Sequence, residues 1–151
     1  MIITGVTFIS RVVRDLDTSL AFYRDLLGLQ VVMEPCDISG QEMDIMTGIE
    51  SVKFRIVMLR GSRGATLELM QILNPVSKQP QEIDTCEIGH TFIALEVSNL
   101  EQVLAELQRK GASLDHRSIQ EYQNGKFFYL WGPDMELVEL MELVSPPSYT
   151  C

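Results

Sequence analysis

Gly5-Val6-Thr7-Phe8-Ile9 and Gly89-His90-Thr91-Phe92-Ile93 lie 84 residues apart, and the same offset carries Val13, Asp15, Leu16 and Leu20 onto Val97, Asn99, Leu100 and Leu104. One register that keeps glycine, threonine, phenylalanine, isoleucine, valine and two leucines marks an internal repeat, which has to be found before any element is assigned. Each copy reads as a strand running into a helix. Asp15 or Asn99 stands at the junction, where a short side-chain acceptor satisfies free helical N–H groups. The first helix carries Leu16, Leu20, Tyr23, Leu26 and Leu27 on one stripe and stops at Gly28. The second carries Leu100, Val103, Leu104 and Leu107, pairs Glu106 with Lys110 at i, i+4, and stops at Gly111.

Runs rich in β-branched, aromatic and aliphatic residues follow each helix: Leu29 to Met33, Val52 to Leu59 and Thr66 to Leu73, then Lys126 to Trp131 and Leu137 to Val144. The last run of each half repeats independently, Leu67-Glu68-Leu69-Met70-Gln71 against Val138-Glu139-Leu140-Met141-Glu142, at an offset of 71. The shorter offset places an insertion in the first half, between Glu34 and Ser51, in a stretch that reads as loop. The chain is therefore expected to be one domain of two β-α-β-β-β modules: residues 3–75, a linker 76–88 containing Pro80, residues 89–144, and a tail 145–151 with Pro146-Pro147.

With 151 residues, 46% of them hydrophobic and 22% charged, the composition suits a soluble domain that buries about 70% of its unfolded surface. The net charge of −9 opposes a nucleic-acid backbone, and no stretch gathers a basic patch. Three cysteines with no paired spacing argue against a disulfide framework or zinc ribbon and suit a reducing cytoplasm. No apolar run of about 18 residues is present to span a bilayer.

The run Ser19-Leu20-Ala21-Phe22-Tyr23-Arg24-Asp25-Leu26-Leu27-Gly28-Leu29 follows a strand and an Asp15-Leu16-Asp17 cap. With the duplicated module and the turn Gly132-Pro133-Asp134, in which Met135 replaces the usual glycine, it resembles the vicinal oxygen chelate superfamily, over about residues 5–144. The resemblance implies an α+β fold: two tandem βαβββ modules forming a curled, open-barrel mixed sheet around a cleft, with helices outside. It also implies a homodimer. In this family a divalent metal, held by residues of the first and last strands, typically chelates vicinal oxygens of a small molecule. Members include glyoxalase I, methylmalonyl-CoA epimerase, extradiol dioxygenases, fosfomycin-resistance transferases and metal-free bleomycin-binding proteins.

Carried over position by position, the last-strand ligands fall on Glu68 and Glu139, and the first-strand histidines on Phe8 and Phe92, which have no donor atom. The expectation is a degenerate metal site, no resident cofactor, and a small apolar or amphipathic ligand lined by Phe8, Ser10, Met70, His90, Phe92 and Met141. The alternative is a metal-dependent lyase or isomerase of glyoxalase or epimerase type. There Glu68 and Glu139 move protons, and a displaced metal sits on Glu68, His90 and Glu139. Two histidines, His90 and the peripheral His116, are too few for the two-histidine iron site of a dioxygenase. The scattered Arg11, Lys53 and Arg55 do not make a phosphate cradle. Against these functional readings stand plainer ones: Tyr129 and Trp131, candidates for stacking on a substrate, as core aromatics, and Glu136, Glu139 and Glu142 as a solvated strand edge. The small-molecule partner is expected without nucleic acid or membrane.

Overall fold

Strand β1 (Phe8–Val13) ends at Asp15, and the chain turns into helix α1 (Leu16–Leu20), which continues without a break as a π-helical segment, Ala21–Leu26. The computed structural model describes residues 2–78, 85–86, 88–114 and 118–144. His116, the tail 145–151 and much of the expected linker lie outside the described residues. The chain forms two units, residues 1–81 and 82–151.

In the first unit β1 is followed by β2 (Gln30–Ser39), helix α2 (Gln41–Thr47), β3 (Lys53–Arg60) and β4 (Thr66–Asn74). The sheet order is β1-β4-β3-β2: β2, β3 and β4 form an antiparallel meander, and β4 returns parallel to β1. Side chains at alternate positions take opposite faces. One face, with Val13, Val57, Leu59, Leu67 and Leu69, is buried with Leu16, Leu20 and Tyr23 of the helix.

The second unit repeats the plan with β5 (Ile93–Glu96), α3 (Leu100–Arg109), β6 (Gln120–Tyr122), β7 (Gly125–Trp131) and β8 (Leu137–Leu143), in the order β5-β8-β7-β6. Here β5 and β8 are the parallel pair. Phe128, Leu130, Val138 and Leu140 are buried with Leu100 and Leu107 of α3.

Both helices start with the same two hydrogen bonds. Asp15 Oδ1 accepts from the Thr18 amide at 2.8 Å, and Asn99 Oδ1 accepts from the Gln102 amide at 2.8 Å. The first helical amide of each is taken by a side chain from the last strand of its own sheet, Leu16 N to Gln71 Oε1 at 3.1 Å and Leu100 N to Glu142 Oε2 at 2.7 Å. Two of the amides that a helix start leaves without intrahelical partners are thus satisfied in each copy.

The insertion differs from the loop expected. Strand β2 runs on to Ser39, and residues 41–47 are helical. Local capping is weak, since Gly40 offers no side-chain acceptor. Tertiary contacts hold α2 instead: Asp44 accepts from the Ser51 and Val52 amides at 2.9 Å each, and Met43 and Ile49 pack on buried Val52, Phe54 and Ile56. Strand β6 is likewise beyond what the hydrophobic pattern shows, because Gln120-Glu121-Tyr122 is exposed throughout.

The turn between β7 and β8 gives Glu136 a structural task. Its carboxylate is 2% exposed by residue and accepts from the Asp134 amide at 2.8 Å. A Cβ on Gly132 would collide with the Glu136 carboxylate, so any other residue there would displace it from the turn. Met135 is held at φ 63°, a left-handed conformation that costs a side-chain-bearing residue about 1–2 kcal/mol.

Three substitutions test these contacts. Asn99→Ala should cost about 1 kcal/mol and Glu142→Ala about 1–2 kcal/mol in urea unfolding, with the double variant losing less than the sum because both act on one helix start. Met135→Gly should raise stability by about 0.5–1 kcal/mol, the released strain exceeding glycine's greater unfolded freedom; a lower melting temperature would contradict the strain.

Candidate functional site

Helices α1 and α3 cover one face of their sheets, and the expected strand residues of the site lie on the other. In the first unit Ser10, Glu68 and Met58 are register partners on β1, β4 and β3, and so share a face. Phe8 and Thr66 precede them, and Val12, Met70 and Ile56 follow. Glu68 is 7% exposed, whereas Phe8 is 47% exposed, so the carboxylate sits in a floor with the phenylalanine standing proud of it. The apolar cluster under α2 includes Met70 and Ile72, so that helix lies against one end of this face.

The basic candidates lie elsewhere. Arg11 and Arg55 have the parity of the α1 face, and Arg55 and Lys53 are ion-paired with Asp37 at 3.5 and 2.9 Å. Arg55 therefore does not neutralise Glu68.

In the second unit Ala94, Glu139 and Tyr129 are register partners. Glu139 is 5% exposed and accepts a hydrogen bond from the Tyr129 hydroxyl. The Phe92 ring meets the Tyr129 ring edge-on, with centroids 6.2 Å apart, which fixes Phe92 on the same face. Phe92 is 52% exposed. Met141 pairs with Glu96 and Phe127 further along this face. His90 precedes β5 in irregular chain; it is half-buried, and its Nε2 is buried without a hydrogen-bond partner among the described residues.

Glu136, Glu139 and Glu142 do not form a solvated edge. They have separate tasks: Glu136 holds the turn, Glu139 lies on the open face, and Glu142 caps α3. The residue that sequence reasoning undervalued is Tyr129. Its signal was the hairpin register, since counting from the Gly132-Pro133 turn brings residue 129 opposite residue 139.

Among the described residues, no group of three or more His, Cys, Asp or Glu side chains could hold a metal ion. The open faces carry Glu68 in the first unit and Glu139 and Glu96 in the second, and Phe8 and Phe92 offer no donor atom.

The repeated strand-to-helix entry and the two mixed sheets correspond to a known family. Residues 9–130 match the Glyoxalase/Bleomycin resistance protein/Dioxygenase superfamily. The chain belongs to this superfamily. Among curated proteins none matches. Its fold is that of a glyoxalase family protein from Bacillus cereus, with TM-score 0.80, 21% identity, and coverage of 95% of this chain and 96% of that one. An antibiotic-binding protein from Streptomyces sp. CB03234 aligns with TM-score 0.63 at 17% identity, over 95% and 98% of the two chains. Trypanothione-dependent glyoxalase I of Leishmania major aligns with TM-score 0.60 at 20% identity, over 92% and 86%. At these identities the likeness is one of fold, and this superfamily fold carries both catalysts and binding proteins. Among the described residues no helix is long and apolar enough to cross a membrane.

Burial is the main reason that the Tyr129 hydroxyl holds its proton above the ordinary value of 10.0, and the hydrogen bond to Glu139 adds to it. The folded protein thus keeps a proton that the unfolded chain releases, so stability is unaffected below pH about 10 and falls as pH rises through the folded pKa. Tyr129→Phe should lower stability at pH 7 by about 1–2 kcal/mol, because Glu139 loses its donor, while flattening the alkaline decline. An unchanged alkaline slope in thermal melts would show that Tyr129 is not the group responsible.

Proposed function

We propose that this protein binds a small apolar or amphipathic molecule on the open faces of its sheets, and that its metal site is degenerate. One observation carries the reading: at the two places where the family puts metal-ligating histidines, the chain presents half-exposed phenylalanine rings, Phe8 and Phe92, beside buried carboxylates. A ring exposed to water there gains by contact with an apolar ligand, on the order of 25 cal/mol for each Å² it covers. Ser10, Met70 and Met141, on the same faces, supply a polar point and adaptable thioethers. This balance of apolar lining and few polar groups is how small-molecule sites are built.

Two carboxylates without histidine partners are a poor donor set for zinc or nickel. A second reading keeps one observation in its favour, the buried and unpartnered His90 Nε2. In it the protein is a lyase or isomerase of glyoxalase or epimerase type, with Glu68 and Glu139 as proton carriers and His90 as the candidate metal ligand. Under either reading the protein is a cytoplasmic homodimer with a small-molecule partner and no nucleic-acid partner, as its net charge of −9 favours.

The neutral fluorescent probe N-phenyl-1-naphthylamine tests the first reading. It should bind with affinity that falls about tenfold in Phe8→Ser or Phe92→Ser and stays within a few fold in Glu68→Gln and Glu139→Gln. Protein purified without chelator should carry no stoichiometric manganese, nickel or zinc. Stabilisation by more than about 2 kcal/mol at saturating metal, lost in His90→Ala, would overturn the binding reading in favour of the second.

A further inference from the structure

The two open faces are not equivalent, and the difference names a class of ligand. The first unit's face is mainly aliphatic and thioether-rich, with Val12, Ile56, Met58 and Met70 around Glu68, Phe8 at one end and Phe54 buried in the cluster under α2. On the second, β7 turns Phe127, Tyr129 and Trp131 to one side, Phe92 abuts Tyr129, and Tyr122 of β6 meets Phe127 edge-on at 5.3 Å. Successive rings on one strand face are about 7 Å apart, so the β7 row is about 14 Å long, the length of three fused rings and their substituents. Tyr122 is 69% exposed. A solvent-facing aromatic of this size at the edge of an aromatic row offers a flat, apolar contact that the fold itself leaves uncovered.

The charges on this face have one sign. Among the described residues it carries Glu96 and Glu139 and no lysine or arginine: Lys126 has the opposite parity and is held by Glu101 of α3. Glu139 receives one hydrogen bond, from Tyr129, and among the described residues it is in no ion pair. A carboxylate has about four acceptor positions, and one so little exposed gains from a charged donor that fills another. Aromatic faces attract cations through the ring quadrupole as well.

We infer that the open face of the second unit takes a planar aromatic cation, stacked along the β7 aromatic row with its charged N–H group donating to Glu139. The inference rests on the binding reading above and adds to it the sign of the ligand's charge and the unit that recognises it. Tyr129 is then a positioning residue, whose hydroxyl orients the carboxylate toward the ligand.

Trp131, the chain's single tryptophan, lies in the row and reports on it. Its fluorescence is titrated at pH 8 with 9-aminoacridine, which is cationic there, and with neutral acridine, a near-isostere. The cation should bind at least tenfold tighter than the neutral compound. In Glu139→Gln, which keeps an acceptor for Tyr129, that preference should shrink to within about threefold while acridine binding is unchanged; Tyr122→Ala, at an exposed position, should weaken both about fivefold. Equal binding of the two compounds by the wild-type protein would overturn the inference and leave the binding reading standing. Binding of neither, with N-phenyl-1-naphthylamine also unbound, would overturn both. A preference that persists in Glu139→Gln would overturn the assignment of Glu139 as the recognising group.

Discussion

The hydrogen bond from the first helical amide to a side chain of the last strand, Leu16 to Gln71 and Leu100 to Glu142, decides what the rest of each unit can do. It fastens the helix to one face of its sheet at the point where the chain leaves the first strand. Because side chains alternate along a strand, the residue three positions earlier must lie on the other face. That residue is Glu68 in one copy and Glu139 in the other. One strand therefore supplies both the cap that closes the helical face and the carboxylate that marks the open one. A shift of register by one residue would exchange the two roles and bury the wrong set.

What the copies share is the frame, and where they differ is the surface it presents. The first unit extends β2 and lays α2 against one end of its open face, using Asp44 to hold the amides where β3 begins. The second has no counterpart of α2 among its described residues and leaves its aromatic row accessible at Tyr122. Carboxylates as little exposed as Glu68 and Glu139 cost stability unless they are hydrogen-bonded or paired. Glu139 offsets part of this cost through Tyr129. Glu68 lies between Met58, which has no donor to offer, and Ser10, whose hydroxyl has one.

Much of this frame was legible in the residues themselves. The two offsets of the repeat located both strand-to-helix entries, both last strands and the Asp15 and Asn99 caps, because these features depend on local acceptors and on strict apolar periodicity. The superfamily and its fold came from the same residues. Helix α2 was hidden because its seven residues make about two turns with no side-chain cap, and its stability comes from Asp44 and Met43 meeting residues that follow it in the chain. Strand β6 was hidden because a polar edge strand has no buried face to impose a pattern. The open-face positions of Glu68, Phe8 and Phe92 could be read from the repeat. The roles of Glu136 and Glu142 could not, since three acidic residues at every third position look alike until register and turn geometry separate them.

On the proposed binding reading, phenylalanine at both first-strand positions also changes what the neighbouring glutamates are for. Beside a histidine, a strand carboxylate is one member of a donor set, and its charge is balanced by the metal. Beside a phenylalanine its charge has to be balanced by a hydrogen-bond donor from the protein or by the ligand itself. In the second unit the protein provides one such donor, the Tyr129 hydroxyl, which is neutral and cannot cancel the charge. The remaining imbalance is a source of selectivity, because a ligand that brings a positive group to an apolar, aromatic surface gains more there than it would in water. On that reading, a frame without metal-ligating histidines is compatible with tight and discriminating recognition, carried by the same carboxylate in a different role.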